Sequence, residues 1–267
     1  MAEQIKFTTW DSKTIDFISR NSALIKSVAA SKGGSAEALA GVMAKENNPY
    51  QLYTTQEQGK DGFVLRSVDG GFVGHQLWSM RYNMVKEFDL IDNAGGSWSL
   101  LKKALFPALL DLGPVNLQAA TAISNLKEYV QAHPTSDPDN LKQYAGDYTK
   151  FLVTIAGPGS ATTGYPVTAE ECARVNAVIL SMQIQKALTW FENKKQNDPQ
   201  FAAYWIGLPQ ATKDALYGQW CILGPQTMEK NYIENIKDGT FEPRLGEKTN
   251  GGWDIFYNST FAGARIL

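Results

Sequence analysis

Histidine and cysteine are scarce in this chain of 267 residues, which carries only His75 and His133, Cys172 and Cys221. With so few, there is no His-Glu-x-x-His for zinc hydrolysis and no Cys-x-x-Cys for a metal or dithiol centre. The Gly-x-Ser-x-Gly elbow of acyl transfer, the Walker A loop and the dinucleotide glycine loop are missing as well. An excess of one charge is also lacking. The 25 Lys and Arg stand against 27 Asp and Glu, with no long block of either sign, which leaves no electrostatic footprint for nucleic acid. No apolar run approaches the ~20 residues of a membrane helix, and the opening "MAEQIKFTTWDSKTIDF" has no basic stretch followed by an apolar one. Neither a membrane partner nor a classical export signal is therefore expected. Both cysteines lie in helical sequence and are expected as buried thiols rather than as a disulfide framework.

Apolar and aromatic residues are plentiful: 43% of the chain is hydrophobic, with 7 Trp, 11 Tyr and 12 Phe, so a sizeable core can be buried in one large domain or a domain with an extension. Ser35, with Glu37 in the following turn, reads as the start of a helix that Asn47-Asn48-Pro49 ends. Tyr50 to Trp78 has glycines spaced between short apolar and aromatic runs, which predicts a small irregular β region. Beyond it the texture is helical. Residues 116–131 form a helix that "HPTSDPDN" (133–140) breaks, and Leu141 to Ile155 keep helical spacing until Gly157-Pro158-Gly159. Thr168-Ala169-Glu170-Glu171 matches a capping box opening a helix to about Lys195. Residues 208–226 read as another helix with Pro209 near its start, and the tail from Thr240, rich in Gly and aromatics, reads as loops packed on the body. The fold class is mainly α-helical with a small irregular β region.

One acid stands out. Counting from Leu39, positions i+3, i+4 and i+7 are Val42, Met43 and Glu46, so the first of these helices carries a carboxylate on its apolar face. A Glu at a helix end is ordinarily a solvated residue. A partly buried one has a raised pKa and stays protonated near neutral pH, as a general acid must. Paired carboxylates of unequal pKa are the equipment of glycoside cleavage. The candidates for the partner of Glu46 are Glu57, Asp61 and Asp69 in the irregular region.

Four short stretches resemble a known superfamily. "AGVMAKENN" (40–48) is similar to the helix ending in the catalytic Glu of goose-type lysozymes and soluble lytic transglycosylases. "GGFVGHQLW" (70–78) resembles their Gly-x-x-Gly-x-x-Gln turn, with Gln76 one residue early. "GPVNLQAATAISNL" (113–126) resembles the Pro-x-x-Asn-Ile-x-x-Gly-Ala helix with a shortened spacing, and "FLVTIAGPGSATTGYP" (151–166) the Ala-Tyr-Asn-Ala-Gly-x-Gly segment. In the last of these, Thr154 and Ile155 stand where the family has Tyr and Asn at the cleft wall.

The resemblance implies a lysozyme-like core over residues 35–166, preceded by a helical segment (1–34) and followed by a helical extension (167–267). It implies cleavage of the glycan strands of bacterial peptidoglycan without a cofactor, with Glu46 as general acid and Asp69, beside the glycine turn, favoured over Glu57 and Asp61 as its partner. Gln76, Tyr53, Trp78 and Thr154 are the expected substrate-binding residues. An enzyme made without an export signal and acting on the cell wall of a target bacterium implies an antibacterial toxin. Its delivery would be by a route such as a type VI secretion apparatus or a phage lysis programme, and a cognate immunity protein would accompany it. The alternative left open by Thr154 and Ile155 is a lysozyme-like module that holds glycan without cutting it. A third reading makes Glu46 a bystander in an interaction protein.

Overall fold

A computed structural model describes residues 12–47, 65–67, 70–73, 111–115, 117–157, 166–229 and 233. Helices α1 (Ser12–Arg20) and α2 (Ser22–Lys32) are separated by Asn21, whose amide donates to the Phe17 carbonyl at 2.8 Å. They bury Phe17, Ile18, Ile25 and Val28. Gly33 ends α2 in the left-handed region at φ 64, where its N–H and that of Gly34 return to the Ala30 and Ala29 carbonyls. The chain then turns closely: a Cβ added at Gly34 would stand 3.2 Å from Nε2 of Gln185. The Ser35 hydroxyl accepts the Ala38 N–H at 2.9 Å and opens α3 (Ala36–Asn47), as the sequence leads one to expect. Every residue from Ala38 to Lys45 is buried, so α3 is a core helix on all sides rather than on one face.

The expected β region contains an antiparallel pair, β1 (Leu65–Ser67) and β2 (Gly70–Val73), with Leu65 opposite Val73, Ser67 opposite Gly70 and an irregularity between. A second pair, β3 (Asp111–Leu112) and β4 (Leu117–Gln118), turns through Gly113 at φ 71 and runs straight into α4 (Ala119–Ala132). The break after α4 is a tied loop. Asp137 accepts the Tyr129 hydroxyl and the N–H groups of Leu141 and Lys142, while the Asp139 N–H donates to the Tyr129 oxygen. The helical spacing read from Leu141 to Ile155 is divided between a 3-10 turn (Lys142–Tyr144) and α5 (Tyr148–Ala156). Gly146, at φ 80, lets the backbone turn between them, and Asp147 caps α5 by accepting the Lys150 N–H.

Thr168 accepts the Glu171 N–H at 3.1 Å and starts α6 (Ala169–Asn197), a helix of 29 residues. Asp198 caps α7 (Pro199–Gly207), and α8 (Gln210–Met228) follows Pro209. The reading of 208–226 as one helix holds except at Gly224, whose φ of 76 ahead of Pro225 interrupts α8. The Phe191 ring of α6 stacks on Trp205 of α7 with centroids 4.5 Å apart, and Phe201 and Tyr217 close around it. Both cysteines are free thiols, Cys172 buried and Cys221 half-buried. The fold is mainly α. The chain divides into two compact units, residues 1–45 with 180–267, and residues 46–179.

Within the first unit, Asp214 of α8 is only 4% exposed beside the start of α3. Burial raises its pKa above the ordinary carboxyl value, against hydrogen bonds from Gln210 and Ser35 and the charge of Lys213, while Glu37 adds to the rise. An acid whose folded pKa is raised costs no stability below its unfolded value of about 3.9 and costs progressively more as pH climbs through the folded value. Asp214→Asn keeps an acceptor for Gln210 and removes the charge. Its melting temperature relative to the native chain is expected to rise between about pH 4 and pH 7. Melts at the two pH values giving an unchanged difference would refute this.

Candidate functional site

Glu46 is the last residue but one of α3. Val42, Met43, Ala44 and Lys45 before it and Asn47 after it are buried, whereas Glu46 itself is half-buried. A residue so placed has its backbone held by the core while keeping partial access to solvent. The amide of Asn47, 3% exposed, donates from Nδ2 to the Pro114 carbonyl at 3.0 Å. Pro114 lies in the buried turn between β3 and β4 that delivers α4.

From that turn the second unit closes on α5. Helix α4 packs on α5, and both β2 and β3 lie against it. Parts of all four stretches singled out by sequence are thereby linked within residues 46–179: Asn47 to Pro114, α4 to α5, and β2 to α5.

Thr154, on α5, is 4% exposed, and its hydroxyl donates to the Lys150 carbonyl at 2.9 Å. Ile155 is fully buried, and its carbonyl accepts the Asn176 amide at 3.0 Å and the Cys172 thiol at 3.3 Å, binding the end of α5 to α6. Beside Thr154 lies a polar network. The Tyr144 hydroxyl donates to Glu171 Oε1 at 2.6 Å, and Arg174 donates to both oxygens of the same carboxylate at 2.8 Å and to the Asp139 carbonyl. The Lys150 ammonium stands 5.4 Å from the centre of the Tyr144 ring. The Arg174 guanidinium holds the Glu171 carboxyl below the usual range, while burial, and then Glu171, push the Tyr144 hydroxyl up.

Sequence reasoning missed both the Asn47 anchor and this network. In the sequence Asn47 serves as helix punctuation and Glu171 as a capping residue. The Glu171–Arg174 spacing of i, i+3 is the one local signal that points to an ion pair. Asp69, Glu57, Asp61, Gln76, Tyr53 and Trp78 lie outside the described residues, as does the tail from Thr240. Among the described residues no cluster of three or more His, Cys, Asp or Glu is placed to hold a metal, and no helix is long and apolar enough to cross a membrane. No family model, curated protein or solved structure matches the chain.

Proposed function

We propose that the chain cleaves the glycan strands of bacterial peptidoglycan, with Glu46 as the general acid. The observation that carries this reading is the linkage, within residues 46–179, of the described parts of the four stretches that resemble the lysozyme and lytic transglycosylase motifs, with the half-buried Glu46 near the end of the first. Glycoside cleavage needs a proton delivered to the leaving oxygen and a second group that supports the oxocarbenium-like centre or positions water. Glu46 supplies the proton. Asp69, or else Glu57 or Asp61, supplies the second group. Attack by water gives hydrolysis, and attack by the sugar's own hydroxyl gives an anhydro product.

Digestion of purified peptidoglycan, with mass analysis of the fragments, tests the reading and identifies the product. Retention on the same material without cleavage would mark a binding module instead. The proposal also has a compartment signature. Expression in a bacterial cytoplasm is expected to be harmless, whereas the same chain fused to an export signal is expected to lyse the cells. Equal toxicity in both compartments would overturn the reading.

A further inference from the structure

We propose that Asn47 is a positioning residue for Glu46, holding the last turn of α3 so that the adjacent carboxyl keeps one direction; this rests on the reading of Glu46 as proton donor. Two tendencies argue against an ordered Asn at this place. Asn is a poor helix former because its amide competes for backbone groups. The last turn of a helix also frays, because its carbonyls lack intrahelical partners. Asn47 is nevertheless buried at 3% exposure. Its amide reaches outside the helix to the Pro114 carbonyl, 67 residues further along the chain.

The acceptor is well fixed. Pro114 is buried between Gly113, in the left-handed region at φ 71, and Val115 at 1% exposure, and the turn opens directly into β4 and α4. One hydrogen bond therefore joins the end of α3 to the buried turn between β3 and β4. Glu46 and Asn47 are consecutive residues of the last turn of α3, so an anchored Asn47 keeps that turn helical and with it the direction in which the Glu46 side chain leaves the backbone. Small displacements of a reacting group are expensive: ~1 Å can cost about 10²-fold in rate.

The test is the rate of glycan cleavage by the native chain, Asn47→Ala and Asn47→Asp, each at a temperature where circular dichroism shows it fully folded. N47A is expected to lower kcat by about tenfold or more with KM within about twofold, since what is lost is alignment and not glycan contact. A role in stability alone would leave kcat of the folded protein unchanged. N47D keeps the volume and cannot donate to Pro114 when ionised, but donates again when protonated. Its kcat relative to the native chain is therefore expected to recover on acidification. Should N47A unfold, N47D carries the same comparison. Variants within about twofold of an active native chain at every pH overturn this inference alone. A native chain that does not cleave overturns the reading of Glu46 and this inference with it.

Discussion

Glu46→Gln is expected to lower peptidoglycan cleavage by ~10²–10⁴-fold, the range for loss of a general acid, while leaving the thermal melt close to that of the native chain. The amide has the shape of the carboxyl, so it opens no cavity. Glu46 is half-buried at the end of a helix whose stability comes from Leu39, Val42 and Met43, each 2% exposed or less. What the variant lacks is a transferable proton at the point where a glycosidic oxygen would receive it. A digestion assay beside a melt measures both halves. Near-native cleavage by the variant would return Glu46 to the role of an ordinary helix-end acid.

The largest loss of stability is expected from Phe191→Ala. The Phe191 ring is fully buried and lies nearly parallel to Trp205, at 15° and 4.5 Å between centroids, with Tyr217 edge-on at 5.6 Å and Phe201 at 6.4 Å. The three large rings, Phe201 and Trp205 on α7 and Tyr217 on α8, cannot collapse into the space left behind, because each is anchored on a packed helix. Truncation of a buried Phe removes its transfer free energy and leaves a cavity, together ~3–5 kcal/mol. The lost offset stacking and edge contacts, about 0.5–1.5 kcal/mol per pair, place the expected loss toward the upper end of that range. Chemical denaturation of the variant is the measurement, and a loss below about 1 kcal/mol would show that the cluster does not support the unit. Phe191→Leu, which keeps much of the volume, is expected to lose considerably less.

The parts of this fold that sequence made legible are those with local causes. Ser35 and Thr168 each mark a helix start through a side-chain oxygen accepting a backbone N–H three residues on, and both bonds are present. Gly157 stops α5, and Pro209 directly precedes α8. Apolar spacing continues across Gly146, so periodicity extends the helix through a position where the backbone takes φ of 80, whereas at Gly224, with φ of 76, the following Pro225 is itself a local signal of the break. The candidate site divides in the same way. Glu46 is visible because its spacing from Leu39, Val42 and Met43 is local. The Asn47–Pro114 bond joins residues 67 apart, and the Tyr144–Glu171 bond residues 27 apart, so neither leaves a trace in the chain around its members.

The loop after α4 shows how little composition says about susceptibility to cutting. "HPTSDPDN" is polar, proline-punctuated and placed between helices, the kind of stretch at which proteases usually nick a folded protein. A protease, however, must draw several residues out into an extended strand before it can cut. Here that would break the three hydrogen bonds converging on Asp137, the Asp139 bond to Tyr129, and the Lys142 ammonium's bond to the Pro134 carbonyl, and would lift the His133 ring from Tyr129. Resistance to digestion at this loop therefore rests mainly on Asp137 and Tyr129, and loss of the Asp137 carboxylate, which removes three of these bonds at once, is expected to raise the rate of cleavage there.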